Sequence, residues 1–271
     1  MSKPVDTRMK RWEEQRWILD AVIRTVGVEW DQHRIGYMSA PAAPQSVPEF
    51  RATAARIKKV SDFAREFSIS ARKREAKALA FEEAGRLISA RESYLTACLL
   101  WASARWPIFE TTAELEHLEE RMNHCYAKFA GLAPHPVEIV RIPFEGKELP
   151  AYLHLPHAPA PGEKFPCVVN IPGMDSSKET GVTMYGDPYL ERGIAVLTID
   201  GPGQAESASL GIFVTATNHM QAAEATFDWL EKHPAIDPDR LIIRGTSFGT
   251  YWGLQWAAAL GDRAKAVAVA G

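Results

Sequence analysis

The chain has 271 residues, 46% of them hydrophobic and 24% charged, which is enough for a substantial core and for two structural units. A formal net charge of −3 gives no bulk argument for a nucleic-acid or membrane partner. The three cysteines, Cys98, Cys125 and Cys167, form no CxxC pair, which argues against a disulfide framework and against a zinc site.

The opening "MSKPVDTRMKRWEEQRW" has no continuous apolar stretch after its charges, unlike a secretory signal. No apolar run reaches the roughly 20 residues that span a bilayer, so a cytoplasmic location is the expectation. "RWEEQRWILDAVIRTVGVEW" sets Trp12, Trp17, Ile18, Val22 and Ile23 near one helical stripe. Pro41, Pro44 and Pro48 mark a loop after it. Residues 49–106, rich in Ala, Arg, Glu and Leu and free of proline, favour helix by summed propensity, with a break expected at Ser68-Ile69-Ser70. Their basic run "SARKREAK" is followed at once by acidic residues, as on a solvated helix face. After Pro107 the spacing predicts one more helix, capped by Thr112 and stopped by Gly131.

The period changes near "APHPVE". "VEIVRI" and "LPAYLHL" read as a paired entry to a sheet, and "CVVNIP" and "IAVLTID" as buried strands. An amphipathic helix at residues 216–233, a strand at "RLIIRG" and another at "AKAVAVAG" complete an alternation that predicts a parallel α/β sheet. The expected organisation is a helical N-terminal or cap region over residues 1–133 and an α/β core over residues 134–271.

Gly245-Thr246-Ser247-Phe248-Gly249 matches G-x-S-x-G between a predicted strand and a predicted helix. That context makes Ser247 a candidate nucleophile. Gly245 and Gly249 leave room for a strained turn that lifts the hydroxyl over the sheet edge. Acyl chemistry needs two converging backbone N–H groups, and the candidates are those of Phe248 and of Met174 in "IPGMDSSKE". Gly173 allows close approach of that backbone. Asp200, in "TIDGPGQAES", is expected to hold its loop by accepting backbone hydrogen bonds. Walker and dinucleotide glycine patterns are absent, so no cofactor and no metal are expected. Trp101, Trp106 and Phe109 are candidates for an aromatic pocket between the halves, with core packing the commoner role for such residues.

"IPGMDSSKE", "GIAVLTIDGPGQAES" and "IDPDRLIIRGTSFGTYW" resemble, in order and spacing, the FrsA-like and 2,6-dihydroxypseudooxynicotine hydrolase-like branch of the α/β-hydrolases. "ESYLTACLLWASARWPIF" is similar to that branch's substrate-facing helical part. The resemblance implies a serine hydrolase acting on a small-molecule carbonyl, through either ester hydrolysis or cleavage of a β-diketone-like carbon–carbon bond. It also implies that homodimers are common among relatives.

Serine needs a base, and in this fold the acid and then the histidine follow it in the chain. After Ser247 the only acid is Asp262, and no histidine follows. His219 and His233 lie upstream, where surface or capping roles are expected. The chain ends as a core strand closes, so the expectation is a C-terminally truncated hydrolase sheet. The alternative is a hydrolase-like binding or scaffold protein without a triad.

Overall fold

The computed structural model describes residues 11–108, 110–182 and 187–271, with side chains from residue 15 onward. Phe109 and the side chain of Trp12 therefore lie outside the described residues. The N-terminal part holds α1 (Arg11–Val26), α2 (Arg34–Ser39), α3 (Val47–Ala54), α4 (Asp62–Glu83), α5 (Leu87–Arg105) and α6 (Ala113–Gly131). Their common core is aromatic and aliphatic: Phe50, Phe63, Phe67, Tyr94, Leu99, Leu100, Trp101 and Met122 are all buried. On α1 only part of the expected stripe faces it. Ile23 is buried and Leu19 packs beside it, while Trp17 and Ile18 are exposed.

Two expectations about these helices are corrected. Ser68-Ile69-Ser70 does not break the chain, because α4 runs straight through it. The serine that would compete for the helix backbone is engaged outside the helix. Ser70 Oγ pairs with Thr53 Oγ1 at 2.7 Å and accepts from Arg56 at 3.1 Å. The stop comes instead at Gly85, whose φ of +69° supports a pair of closing bonds: Arg86 N–H to Phe81 O at 2.8 Å and Gly85 N–H to Glu82 O at 2.9 Å. The proline-rich stretch is also more ordered than a loop. Pro41 and Pro44 begin short 3-10 turns, and Pro48 sits in the first turn of α3, where its missing N–H costs nothing. Thr112 does cap α6, accepting Leu115 N–H at 3.1 Å.

The second part is a six-stranded sheet of β1 (Val137–Phe144), β2 (Lys147–His154), β3 (Phe165–Ile171), β4 (Ala195–Ile199), β5 (Ile236–Thr246) and β6 (Ala266–Ala270). The strand order is β1-β2-β4-β3-β5-β6. Strands β3 to β6 are parallel, as the alternation predicts. The sheet as a whole is mixed, since β1 and β2 form a hairpin and β2 also lies antiparallel to β4. Glu145 and Gly146, both at positive φ, supply the tight hairpin turn. Helices α7 (Ala205–Ser209), α8 (Asn218–Lys232) and α9 (Gly249–Leu260) connect the strands. A separate core under the sheet joins Ile142, Leu153, Val169, Leu197 and Ile243 to Phe227 and Trp256. Tyr152 of β2 belongs to the helical core instead, stacked on Tyr126 of α6 with ring centroids 4.3 Å apart. No described helix is long and apolar enough to cross a membrane.

Because β3, β4 and β5 are parallel, their carboxyl ends share one edge of the sheet. The loops beginning at Pro172, Asp200 and Ser247 meet there, under the helical layer.

Candidate active site

Strand β5 enters a turn at Ser247 and leaves it as α9. Ser247 has a φ of +56°, a left-handed conformation that a serine adopts only when its surroundings impose it. The flanking glycines are steric necessities. A Cβ on Gly245 would collide with the Gly249 carbonyl, and one on Gly249 with the carbonyls of Ile171 and Pro172. The turn is closed by Ser247 N–H to Ala270 O at 2.7 Å and Thr250 N–H to Ser247 O at 2.9 Å. The N-terminus of the 12-residue α9 lies directly after the serine and contributes partial positive charge there.

Gly173 packs against the serine so closely that an added Cβ would lie 3.0 Å from Ser247 Cβ. Met174 and Phe248 line the same cavity as Ser247. Among the described residues, neither Met174 N–H nor Phe248 N–H donates a hydrogen bond within the protein. Two unengaged backbone donors beside a strained serine are what an oxyanion requires.

The cavity has a volume of about 600 Å³. Its sheet side is formed by Ser247, Phe248, Met174 and Asp175, and its helical side by Asp31, Arg34, Trp106 and Ile108, with Phe213 between them. Trp106 thus lines the cavity. Trp101 does not: it is buried in the helical core and donates Nε1–H to Glu75 at 3.2 Å. Arg34 is only 2% exposed. Its guanidinium lies 3.8 Å from the Trp106 ring centroid, pairs with Asp31, donates to Tyr37 Oη at 2.7 Å and lies 3.4 Å from Asp175. Tyr37 Oη also donates to Asp175 at 3.0 Å.

Asp200 is fully buried behind the cavity. It accepts Lys178 N–H at 2.8 Å and Glu206 N–H at 3.3 Å, and its Oδ2 lies 3.2 Å from Lys178 Nζ. The Lys178 ammonium is also 2.7 Å from both Glu179 and Glu206, and Arg141 reaches Glu206 at 2.6 Å. Burial pushes the Asp200 carboxyl up to about 6; the Lys178 charge opposes this, while Glu179 and Glu206 add to it. Burial alone would lower the Lys178 pKa, but Asp200 and Glu179 outweigh it and hold the ammonium charged. These three carboxylates surround a lysine, and among the described residues no cluster of three or more His, Cys, Asp or Glu is arranged to hold a metal ion.

Among the described residues, no histidine lines the Ser247 cavity. His219, expected at the surface or in a cap, is buried. Its Nε2–H donates to Pro202 O at 3.0 Å, and its ring stacks on Trp252 at 4.4 Å. Burial lowers its pKa to about 4, against the hydrogen bond to Pro202 that favours the proton, so it is a neutral core residue under the Asp200 loop. His233 pairs with Glu138 of β1 at 3.1 Å. Asp262 is exposed beyond the far end of α9, about 18 Å of helix from the serine.

The sequence patterns assigned no role to Arg34, Asp175, Lys178 or Gln204. Three of the four lie inside the motifs quoted for the resemblance, which was the one signal that pointed to them. Gln204 is buried and bonds to the backbone on both sides of the cavity floor.

The model of the FrsA-like esterase family matches residues 62–271 of this chain. The α/β hydrolase ucsC of Acremonium sp is 28% identical over 270 residues, covering 92% of this chain and 53% of its own length. The 2,6-dihydropseudooxynicotine hydrolase of Paenarthrobacter nicotinovorans is 30% identical over 174 residues, covering 64% of this chain and 45% of its own. The crystal structure of a 2,6-dihydroxy-pseudo-oxynicotine hydrolase superposes with a TM-score of 0.69 at 26% identity, over 84% of this chain and 62% of that one. The chain spans about half the length of the curated relatives it matches.

Proposed function

The chain belongs to the FrsA-like esterase family and has the α/β-hydrolase fold, and from that premise we propose that its protein is a hydrolase with Ser247 as nucleophile, acting on an ester or a β-diketone-like carbonyl. The observation that carries this reading is the serine at φ +56° between two glycines that admit no Cβ, beside two unengaged N–H groups.

In the reaction so read, Ser247 Oγ bonds to the substrate carbonyl carbon, and the carbonyl π pair moves onto oxygen. Met174 N–H and Phe248 N–H donate to that oxyanion, helped by the N-terminus of α9. Collapse of the tetrahedral adduct expels an alkoxide from an ester or a stabilised carbanion from a β-diketone, and leaves an acyl-serine that water hydrolyses. The oxyanion donors serve both substrates alike. The base that takes the serine proton is assigned to no residue of this chain. Trp106, Phe213 and Phe248 favour a substrate with an apolar or aromatic face, while Asp31, Arg34 and Asp175 add polar groups to the lining.

A fluorophosphonate probe applied to the gene's full-length product should label Ser247, and Ser247→Ala should abolish labelling. Folded protein that stays unlabelled sinks the reading. Product analysis on paired ester and β-diketone substrates then decides which bond is cleaved.

A further inference from the structure

Gln204 is fully buried beneath the turn that carries Met174, and the reaction above gives it no part. All three hydrogen bonds of its amide go to backbone. Oε1 accepts Gly201 N–H at 2.8 Å, and Nε2 donates to the carbonyls of Pro172 at 2.8 Å and Gly173 at 3.2 Å. A trans peptide is planar, and its C=O and N–H point in opposite directions. The Gly173 carbonyl and Met174 N–H belong to one such peptide unit. Holding that carbonyl down on Gln204 turns Met174 N–H the other way, into the space that Met174 and Ser247 line together. Ser176 N–H, at 3.3 Å from the same carbonyl, adds a weaker hold.

We propose that Gln204 is a positioning residue that sets the direction of the oxyanion donor at Met174, an inference that rests on reading Ser247 as the nucleophile. The chemistry explains the residue type. One planar group must accept from one loop and donate twice to another, and only a primary amide does both. A carboxylate would set negative charge against two carbonyl oxygens. A leucine of similar size would leave Gly201 N–H and both carbonyls short of partners. The same amide also ties the Asp200 loop to the Pro172 turn.

The test compares hydrolysis of p-nitrophenyl acetate by the gene's full-length product, Ser247→Ala, Gln204→Leu and Gln204→Glu. Removing an oxyanion donor outright costs roughly 100- to 1,000-fold in kcat, so misdirecting one through Gln204→Leu should cost about 10- to 100-fold, with KM changed by less than about twofold. Gln204→Glu regains one O–H donor only when protonated, so its kcat, relative to the wild type at the same pH, should rise as pH falls from about 8 to about 5. A residue that merely filled space would give no such pH-dependent rescue. A Ser247-dependent kcat that Gln204→Leu leaves within about twofold overturns this inference alone, whereas Ser247→Ala as active as the wild type overturns the nucleophile reading beneath it. Should Gln204→Leu not fold, a flat pH ratio for Gln204→Glu is the overturning result.

Discussion

Gly249 concentrates the sterics of the site. A Cβ there meets two backbone carbonyls of the neighbouring turn, and backbone cannot rotate aside as a flexible side chain can. Gly249→Ala is expected to cost roughly 3 kcal/mol, the upper end for overpacking, and to lower the urea midpoint without changing its slope. Gly173→Ala, which meets Ser247 Cβ at 3.0 Å, should fold nearly normally while reducing probe labelling of the serine. Gly245, Ser247 and Gly249 are legible in the sequence because they form one local turn with its own signature, in which a Cβ on Gly245 would meet the Gly249 carbonyl four positions on, although the contacts of Gly249 and Gly173 themselves reach across to the other turn. Gln204 and Arg34 are not. Gln204 bonds to residues 31 and 32 positions away and Arg34 to one 141 positions away, and no local pattern encodes such pairings.

Between elements, the loop after β3 is fastened to the loop after β4 by a buried charge cluster. Lys178→Met would leave Glu179, Asp200 and Glu206 with only Arg141 at the edge. An uncompensated buried charge costs about 3–5 kcal/mol, which is the expected loss at neutral pH. The sign with pH follows from the carboxylates. Asp200 already takes up its proton near 6, and losing the lysine raises that further, so the variant's deficit should shrink between pH 7 and about 5. Denaturant titrations of both proteins at the two pH values check this; a deficit that grows on acidification contradicts it. The same scale holds the misread helix. Two serines near residue 69 predicted a break because such residues compete for the helix backbone, but Thr53 and Arg56 occupy Ser70, and Gly85 sets the stop.

Across the whole molecule, the helical and sheet cores meet at His154. This buried residue of β2 bonds to Tyr126 of α6 at 2.9 Å and to His135 at 2.9 Å. Burial, with His135 nearby, lowers its pKa to about 3. The unfolded chain protonates it near 6.5, so the folded state is favoured above that pH and loses ground as pH falls from 6.5 towards 3. Between pH 7 and about 5 this one group should remove about 2 kcal/mol. His154→Gln should be less stable at pH 7 and show a shallower acid slope in urea midpoints. An unchanged slope would mean that the histidine is charged when folded. The layered architecture was legible from the change of period near residue 134, since helix and strand periods differ. The joint between the layers was not, because it depends on two histidines and a tyrosine brought together only by packing.

Asp175 follows the oxyanion candidate Met174 directly, and its carboxylate is held by Arg34 and Tyr37 of the helical layer. In the proposed reaction, substrate fit and catalytic competence are therefore inherited together. A chimera that grafts this sheet onto another relative's helices would have to bring Arg34 and Tyr37 along, or release Asp175 by mutation. Exchanging the helical layer would otherwise disturb the turn that carries the proposed oxyanion donor Met174.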